Sequence, residues 1–310
     1  MPSEAIIIAF FATGLQLMVP ILLAALGETI SERSGVLNVG IEGSMLIGAL
    51  ATALVGIETE SVTLALAFGW FAGICAGVVL AFLYVNRGTD QIVTGLLFNV
   101  FALGLTGVLH DRFIGGRIGP TLSPLDIPLI GDIPKVGEVL NGQNSVFWIT
   151  LAIVLLVFYL LNRTWWGLYA RAAGERPHAT ESGGLDVQRL RYPAVILANS
   201  LAAFGGGALV MSSAGGFVPG MTEGRGFIAL GVVVVARWNP LLALATSALF
   251  GLSQALQFIA GQVDLLDGVP HQVWLALPYV ATVLAVLLSR GSRYPAAVGI
   301  PWRRETAGRA

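Results

Sequence analysis

Charge is scarce in this sequence. Only 11% of its 310 residues are Asp, Glu, Lys or Arg, against about 25% in ordinary soluble domains. Lys135 is the only lysine and it follows Pro134, so there is no G-x-x-x-x-G-K-[ST] loop to cradle a nucleotide phosphate. Energy from ATP would have to come from another subunit. The one cysteine, Cys75, excludes an internal disulfide and a Cys-rich metal site; lying in an apolar run, it reads as a small buried hydrophobe. His110, His178 and His271 are isolated, without an H-E-x-x-H motif. Ser and Asp in the apolar runs show no nucleophile–base spacing. An enzyme is therefore not expected, nor any cofactor or metal bound by this chain. A formal net charge of −1 offers nothing to nucleic acid.

What is present is apolar. Hydrophobic residues make up 55% of the chain and the mean hydropathy is +0.80, which places it in a lipid bilayer. A spanning helix needs about 20 apolar residues. Candidate spans cover 5–26, 36–56, 62–85, 91–110, 145–162, 192–212, 226–236, 240–260 and 271–289. The stretch 226–236 is short enough to be a half-helix or re-entrant segment. Residues 5–26 lack the basic n-region and small-residue cleavage site of a signal peptide, so they read as a retained first span. The fold class is all-α, a polytopic transmembrane helical bundle of about 8–10 spans with broken or re-entrant segments, and residues 1–310 form a single domain.

Charge concentrates in 162–191, NRTWWGLYARAAGERPHATESGGLDVQRLR, between two apolar runs. Its five arginines, Arg163, Arg171, Arg176, Arg189 and Arg191, put this water-facing segment on the cytoplasmic side. Pro177 suits a first helical position and Gly183-Gly184 a C-terminal stop, so a short helix is expected between them. Counting crossings outward from this loop puts Arg33 and Arg87 inside and Glu58 and Glu60 outside. The N-terminus then falls outside and the C-terminus in the cytoplasm. The segment 111–144, with four prolines and Gly115-Gly116, is the longest external loop, suited to receiving a partner or to serving as a linker.

Polar residues inside apolar runs mark either helix packing or a pathway. Three stripes share one face at helical spacing: Gly35, Asn38, Glu42 and Ala49; then Gln91, Gly95, Asn99, Ala102 and Thr106; then Ser247, Gly251, Gln254 and Gln257. Small residues in each allow close helix approach. Glu42 is the exception among them, because a carboxylate in a span needs a partner or water. The glycines around it point to a bent or partly unwound helix. A further Gly-rich element at 215–231 carries Glu223 and Arg225 close together. Asn38, Glu42, Gln91, Asn99, Glu223, Gln254 and Gln257 are thus the candidates for a translocation path. No span offers an arginine suited to a carboxylate or phosphate cargo.

These motifs resemble one family. GERPHATESGGLDVQRLR follows the pattern G-E-N-P-x-A-A-x-x-x-G-I-x-V of permease subunits of bacterial ABC importers in the branched-chain amino acid, ribose and nucleoside superfamily, with Arg176 where Asn is usual and Thr180 where Ala is usual. The segment 27–49 resembles G-x-x-N-x-G-x-E-G-x-M-x-x-G through Gly35, Asn38, Gly40, Glu42, Gly43, Met45 and Gly48. GRGFIALG followed by Arg237-Trp238-Asn239-Pro240 is similar to a third signature. YPAAVGIPWRRE resembles the ending of nucleoside-type permeases, with Trp302 in place of Tyr. The resemblance implies a coupling helix in the loop 163–191, with Arg171, Gly174, Glu175, Pro177, Ala179, Glu181, Gly184 and Leu185 engaging an ABC ATPase subunit. It also implies a second paralogous permease, an extracytoplasmic substrate-binding protein and the bacterial inner membrane. The expected function is the permease of an ATP-driven nucleoside importer. Two readings stay open beside it: the same machinery for a monosaccharide or branched-chain amino acid, and an ion-coupled secondary transporter. The latter needs membrane-embedded acids, of which only Glu42 qualifies by sequence.

Overall fold

Hydrocarbon offers no hydrogen bonds to the backbone, so a chain this apolar must satisfy its N–H and C=O groups within helices. The computed structural model describes residues 4–125, 136–212, 216–259 and 294–302, with isolated positions between 273 and 287. Among these residues there is no strand; the one extended contact is an isolated bridge between Pro124 and Asn144. The described residues form eleven α-helices of continuous extent, in chain order α1 Glu4–Arg33, α2 Ile41–Thr59, α3 Val62–Ala81, α4 Gln91–Leu109, α5 Val136–Asn141, α6 Ser145–Arg163, α7 Trp165–Glu175, α8 Pro177–Ser182, α9 Val187–Ser212, α10 Arg225–Val235 and α11 Pro240–Ile259. Single π-helical turns, Phe82–Asn86 and His110–Ile114, end α3 and α4.

Six of these elements are long and apolar enough to cross a membrane, and α10 is a shorter apolar helix. The chain is thus an all-α polytopic membrane protein. The expected span 271–289 lies outside the described residues apart from isolated positions. Helix starts follow local chemistry: Asp90 accepts from Val93 N–H, Asn144 from Phe147 N–H and Thr164 from Gly167 N–H, satisfying donors that a first turn leaves free.

α9 is the most buried of the six, packed against α1, α2 and α3. Its Ala198, Ala202, Ala203, Gly205, Gly206 and Gly207 are buried, and this small-residue stripe lets neighbouring backbones come close. A Cβ on Gly48 of α2 would fall against the Ala203 backbone, and one on Gly206 against the Met45 carbonyl. The opposite pattern holds on α4. Its buried residues are Gln91, Gly95, Asn99, Ala102 and Thr106, while Leu97, Val100 and Val108 are exposed, as a lipid-facing surface requires.

Several sequence expectations need correction. α1 runs on to Arg33 rather than ending near residue 26, because Glu28 and Glu32 find buried partners instead of water. The second span begins at Ile41, not 36, so Gly35 and Asn38 precede the helix and share no helical face with Glu42. The glycines that pointed to a bent helix make a full break, where Gly35 adopts φ +89°. Arg191 is not water-facing: it lies in the second turn of α9 and is 2% exposed. Cys75 is exposed, on the face of α3 that also shows Trp70, Phe71 and Val78.

Candidate functional site

The site is built around the break between α1 and α2. Residues 34–40 leave backbone groups without helical partners, and buried side chains from three helices meet them. Glu28 Oε1 of α1 accepts from Asn38 N–H at 2.9 Å. Gln91 Oε1 of α4 accepts from Leu37 N–H at 2.7 Å. Asn99 Oδ1 accepts from Gly43 N–H at 2.8 Å while its Nδ2 donates to Val39 C=O at 2.9 Å. Asn199 Oδ1 of α9 accepts from Asn38 Nδ2 at 3.0 Å and from Ser44 Oγ at 2.6 Å. Irregular backbone in a membrane protein is tolerated only where such partners, or water, replace the helical ladder.

Glu42, one residue into α2, is 7% exposed. Its Oε1 accepts from Thr222 Oγ1 at 2.6 Å and Gly224 N–H at 2.9 Å, and its Oε2 accepts from Gly226 N–H at 2.7 Å. The carboxylate thereby caps the start of α10, where free N–H groups and the helix dipole favour negative charge. Contact is close enough to need glycine: a Cβ on Gly226 would stand 2.7 Å from Glu42 Oε2 and 2.8 Å from its Cα.

Three further groups extend this hub toward the charged loop. Trp238 Nε1 donates to Glu32 Oε2 at 2.6 Å, and Arg33 donates to Trp238 C=O through Nε at 3.3 Å and Nη2 at 3.2 Å. Arg237 and Trp238 both sit at positive φ, 52° and 54°, a strained turn held by these bonds. Arg191 donates from Nε to Ser34 C=O at 3.0 Å and from Nη2 to Ala173 C=O at 3.3 Å. The end of α7 is thus tied to the break, and a Cβ on Gly174 would strike the Arg33 carbonyl.

The loop is structured throughout. α7 lies against the end of α6, and α8 begins at Pro177 and stops before Gly184, at φ +85°. Glu175, Ala179 and Gly184 are exposed, whereas Arg171, Pro177, Glu181 and Leu185 are half-buried and Gly174 buried. Of α8 only Thr180 is buried, so this short helix projects outward from a fixed base.

The expected path residues fall into two groups. Asn38, Glu42, Gln91 and Asn99 come together at the break, with Asn38 Oδ1 and Gln91 Nε2 having no hydrogen-bond partner among the described residues. Glu223, at φ 47°, pairs with Arg225 at 3.4 Å beside the start of α10. Gln254 and Gln257 are half-buried on α11, which packs on α1 rather than on the break; a Cβ on Gly251 would meet Met18 N at 2.8 Å. Sequence reasoning missed Glu28, Glu32 and Asn199. Glu28 and Glu32 are one turn apart and buried, so Glu42 is not the one embedded acid. Their i,i+4 spacing directly after an apolar run was the available signal. Arg191 lies within α9, but its donors are engaged by the Ser34 and Ala173 carbonyls. Among the described residues no group of three or more His, Cys, Asp or Glu could hold a metal ion.

Broken helices inside a membrane bundle are an arrangement that transporters use at their substrate paths. Residues 10–287 match the family described as the permease component of the branched-chain amino acid transport system, and the chain belongs to that family. The guanosine ABC transporter permease protein NupQ of Bacillus subtilis is 31% identical over 91% of this chain and 92% of its own length. The nucleoside ABC transporter permease protein NupC of Lactococcus lactis is 31% identical over 88% and 89%. The putative glucose ABC transporter permease protein TsgC13 of Haloferax volcanii is 35% identical over 82% and 80%. No solved structure matches.

Proposed function

We propose that this chain is the membrane-spanning permease subunit of an ABC importer for nucleosides. The observation that carries the reading is its similarity to NupQ and NupC along about nine-tenths of both chains. A nucleoside presents an uncharged base and ribose, which suits a path offering amide groups. Asn38 and Gln91, which meet at the break, each retain a buried polar atom without a partner among the described residues. A monosaccharide is the second reading, favoured by the 35% identity to TsgC13.

In this reading a separate ATPase subunit supplies the energy and a second permease completes the path. The relatives NupQ and NupP carry the same transporter's name in one organism and are 31% and 23% identical to this chain, which supports a paralogous pair. An extracytoplasmic binding protein would deliver substrate. The loop 163–191 is cytoplasmic and α8 is the coupling helix that docks on the ATPase, with Arg171, Gly174, Glu175, Pro177, Ala179, Glu181, Gly184 and Leu185 forming and positioning its surface. The bonds from Arg191 to Ser34 and Ala173 support transmission, because they join the loop to the broken segment without an intervening flexible stretch. The N-terminus lies outside and the C-terminus inside.

The test is uptake by the complete importer in proteoliposomes. Labelled guanosine should be taken up with ATP inside, and unlabelled uridine or adenosine should compete while glucose, ribose and leucine do not. Glucose uptake that nucleosides leave untouched would replace the cargo and keep the permease. Uptake by this chain alone, driven by an ion gradient, would overturn the ATP-driven reading itself.

A further inference from the structure

Residues 294–302 reach back to the loop and touch it at defined points. The Tyr294 ring stands edge-on to Trp238, with centroids 4.6 Å apart. Ala297 N–H donates to Gly174 C=O at 2.9 Å, in the last turn of α7. Trp302 stands edge-on to His178 of α8 at 4.4 Å. It is 7% exposed and packs with Ala173 and Val187. Two turn bonds, Val298 N–H to Pro295 C=O and Ile300 N–H to Ala297 C=O, give the segment its own shape. Between the contact points lies an open groove of about 410 Å³, lined by Glu175, Pro177, Ala296 and Ile300 among others. The contact is therefore carried by the Ala297–Gly174 bond and the two aromatic pairs.

α8 cannot hold its own position. It has six residues, of which one is buried, and helices of that length are unstable by themselves. We propose that residues 294–302 are a clamp that sets the position of α8, and that Trp302 is its positioning residue, acting through the edge of His178. Through Tyr294 the same segment ties the loop to Trp238. That residue follows α10, whose other end is capped by Glu42. A shift of α8 is thereby shared with the element whose start rests on the broken helix. The proposal rests on the coupling role proposed for α8, and the experiment separates the two.

In the complete importer with Cys75→Ala and Ser182→Cys, a nitroxide at position 182 reports α8 directly. Trp302→Ala should raise nitroxide mobility and lower substrate-stimulated ATP hydrolysis by about tenfold, the size of effect that loss of an aromatic pair and its buried surface accounts for. Basal hydrolysis and co-purification with the ATPase should stay within about twofold, well inside one decade of equilibrium constant. Trp302→Phe should restore both readouts. Trp302→Leu, which keeps apolar packing on Ala173 and Val187, should not. Unchanged nitroxide mobility in both Trp302→Ala and Trp302→Leu overturns the clamp, whatever transport does. If mobility rises but hydrolysis is normal, and Gly184→Trp also leaves hydrolysis normal, the coupling role fails while the clamp stands.

Discussion

Glu42 Oε2 accepts the backbone N–H of Gly226 at 2.7 Å, across 184 residues of sequence. With Thr222 and Gly224 on the other oxygen, one carboxylate holds the start of α10 against the start of α2. Both helices begin at this contact, so neither is placed independently of the other.

Glu42→Gln should therefore destabilise the protein by about 1–3 kcal/mol, since an amide supplies one acceptor oxygen where two are used and a buried N–H is left unpaired. Thr222→Val removes one donor of the three and should cost about 1 kcal/mol, the net worth of a single hydrogen bond. Denaturant or thermal unfolding in detergent measures both. Equal, negligible effects would show that the cap contributes nothing to holding α10.

Glycines divide into two groups by what surrounds them. Gly48→Ala or Gly206→Ala forces α2 and α9 apart, because the added methyl meets backbone rather than a side chain that can rotate away; overpacking of this kind costs about 1–3 kcal/mol. Gly104 and Gly107 on α4 have nothing within 4 Å. Replacing either by Ala should leave stability unchanged or raise it by up to about 1 kcal/mol, the helix preference of Ala over Gly. Unfolding of the four variants in parallel checks the contrast; a uniform response would contradict the packing described.

The α4 stripe was legible in sequence because lipid tolerates only apolar surface, so the amides and small residues had to mark the protein-facing side. Gln91, Gly95, Asn99, Ala102 and Thr106 are the residues it buries. The end of α1 was not legible. Glu28 and Glu32 look like a water-facing turn until Trp238, 206 residues beyond Glu32, supplies a donor. Glycine content at 35–48 fits a bent helix as well as a break, and only the side chains of Gln91, Asn99 and Glu28 decide between them. Arg191 was misread for a related reason. Charge at the edge of an apolar run normally means solvent, but here two carbonyls at the ends of α1 and α7 needed a donor. The short helix at 177–182 was readable from Pro177 and Gly184 alone, since both signals are local.

Arg191 offers a test of the link between the loop and the break. Lysine keeps the charge but presents one ammonium point in place of a planar fork, so it cannot reach the Ser34 and Ala173 carbonyls with the same geometry. Arg191→Lys should lower stability by about 1–3 kcal/mol through a carbonyl left unpaired. Arg191→Met, which removes the charge but leaves both carbonyls unpaired, should be at least as harmful. Unfolding in detergent reads the stability change. Hydrogen exchange at residues 34–40 and 173–175 should rise in both variants, and protection equal to wild type would break the proposed link.

Glu175 is exposed at the end of α7, within electrostatic reach of Arg33, so Glu175→Arg reverses the charge beside α8 while leaving the buried side chains of the loop in place. Gly184 sits at φ +85° with open space around it. Tryptophan there meets no steric neighbour in the chain but strains a left-handed position by roughly 1–2 kcal/mol, and projects a bulky ring where a docking partner would lie. If α8 is the coupling helix, both variants should insert normally and both should abolish ATP-driven uptake, with substrate-stimulated hydrolysis falling in parallel. The charge reversal has one further consequence that simple misfolding lacks. Steering between exposed charges weakens with ionic strength, so the defect of Glu175→Arg should depend on salt concentration, while that of Gly184→Trp should not. Normal stimulated hydrolysis in both variants would remove α8 from the coupling path and return the loop 163–191 to a purely topological role.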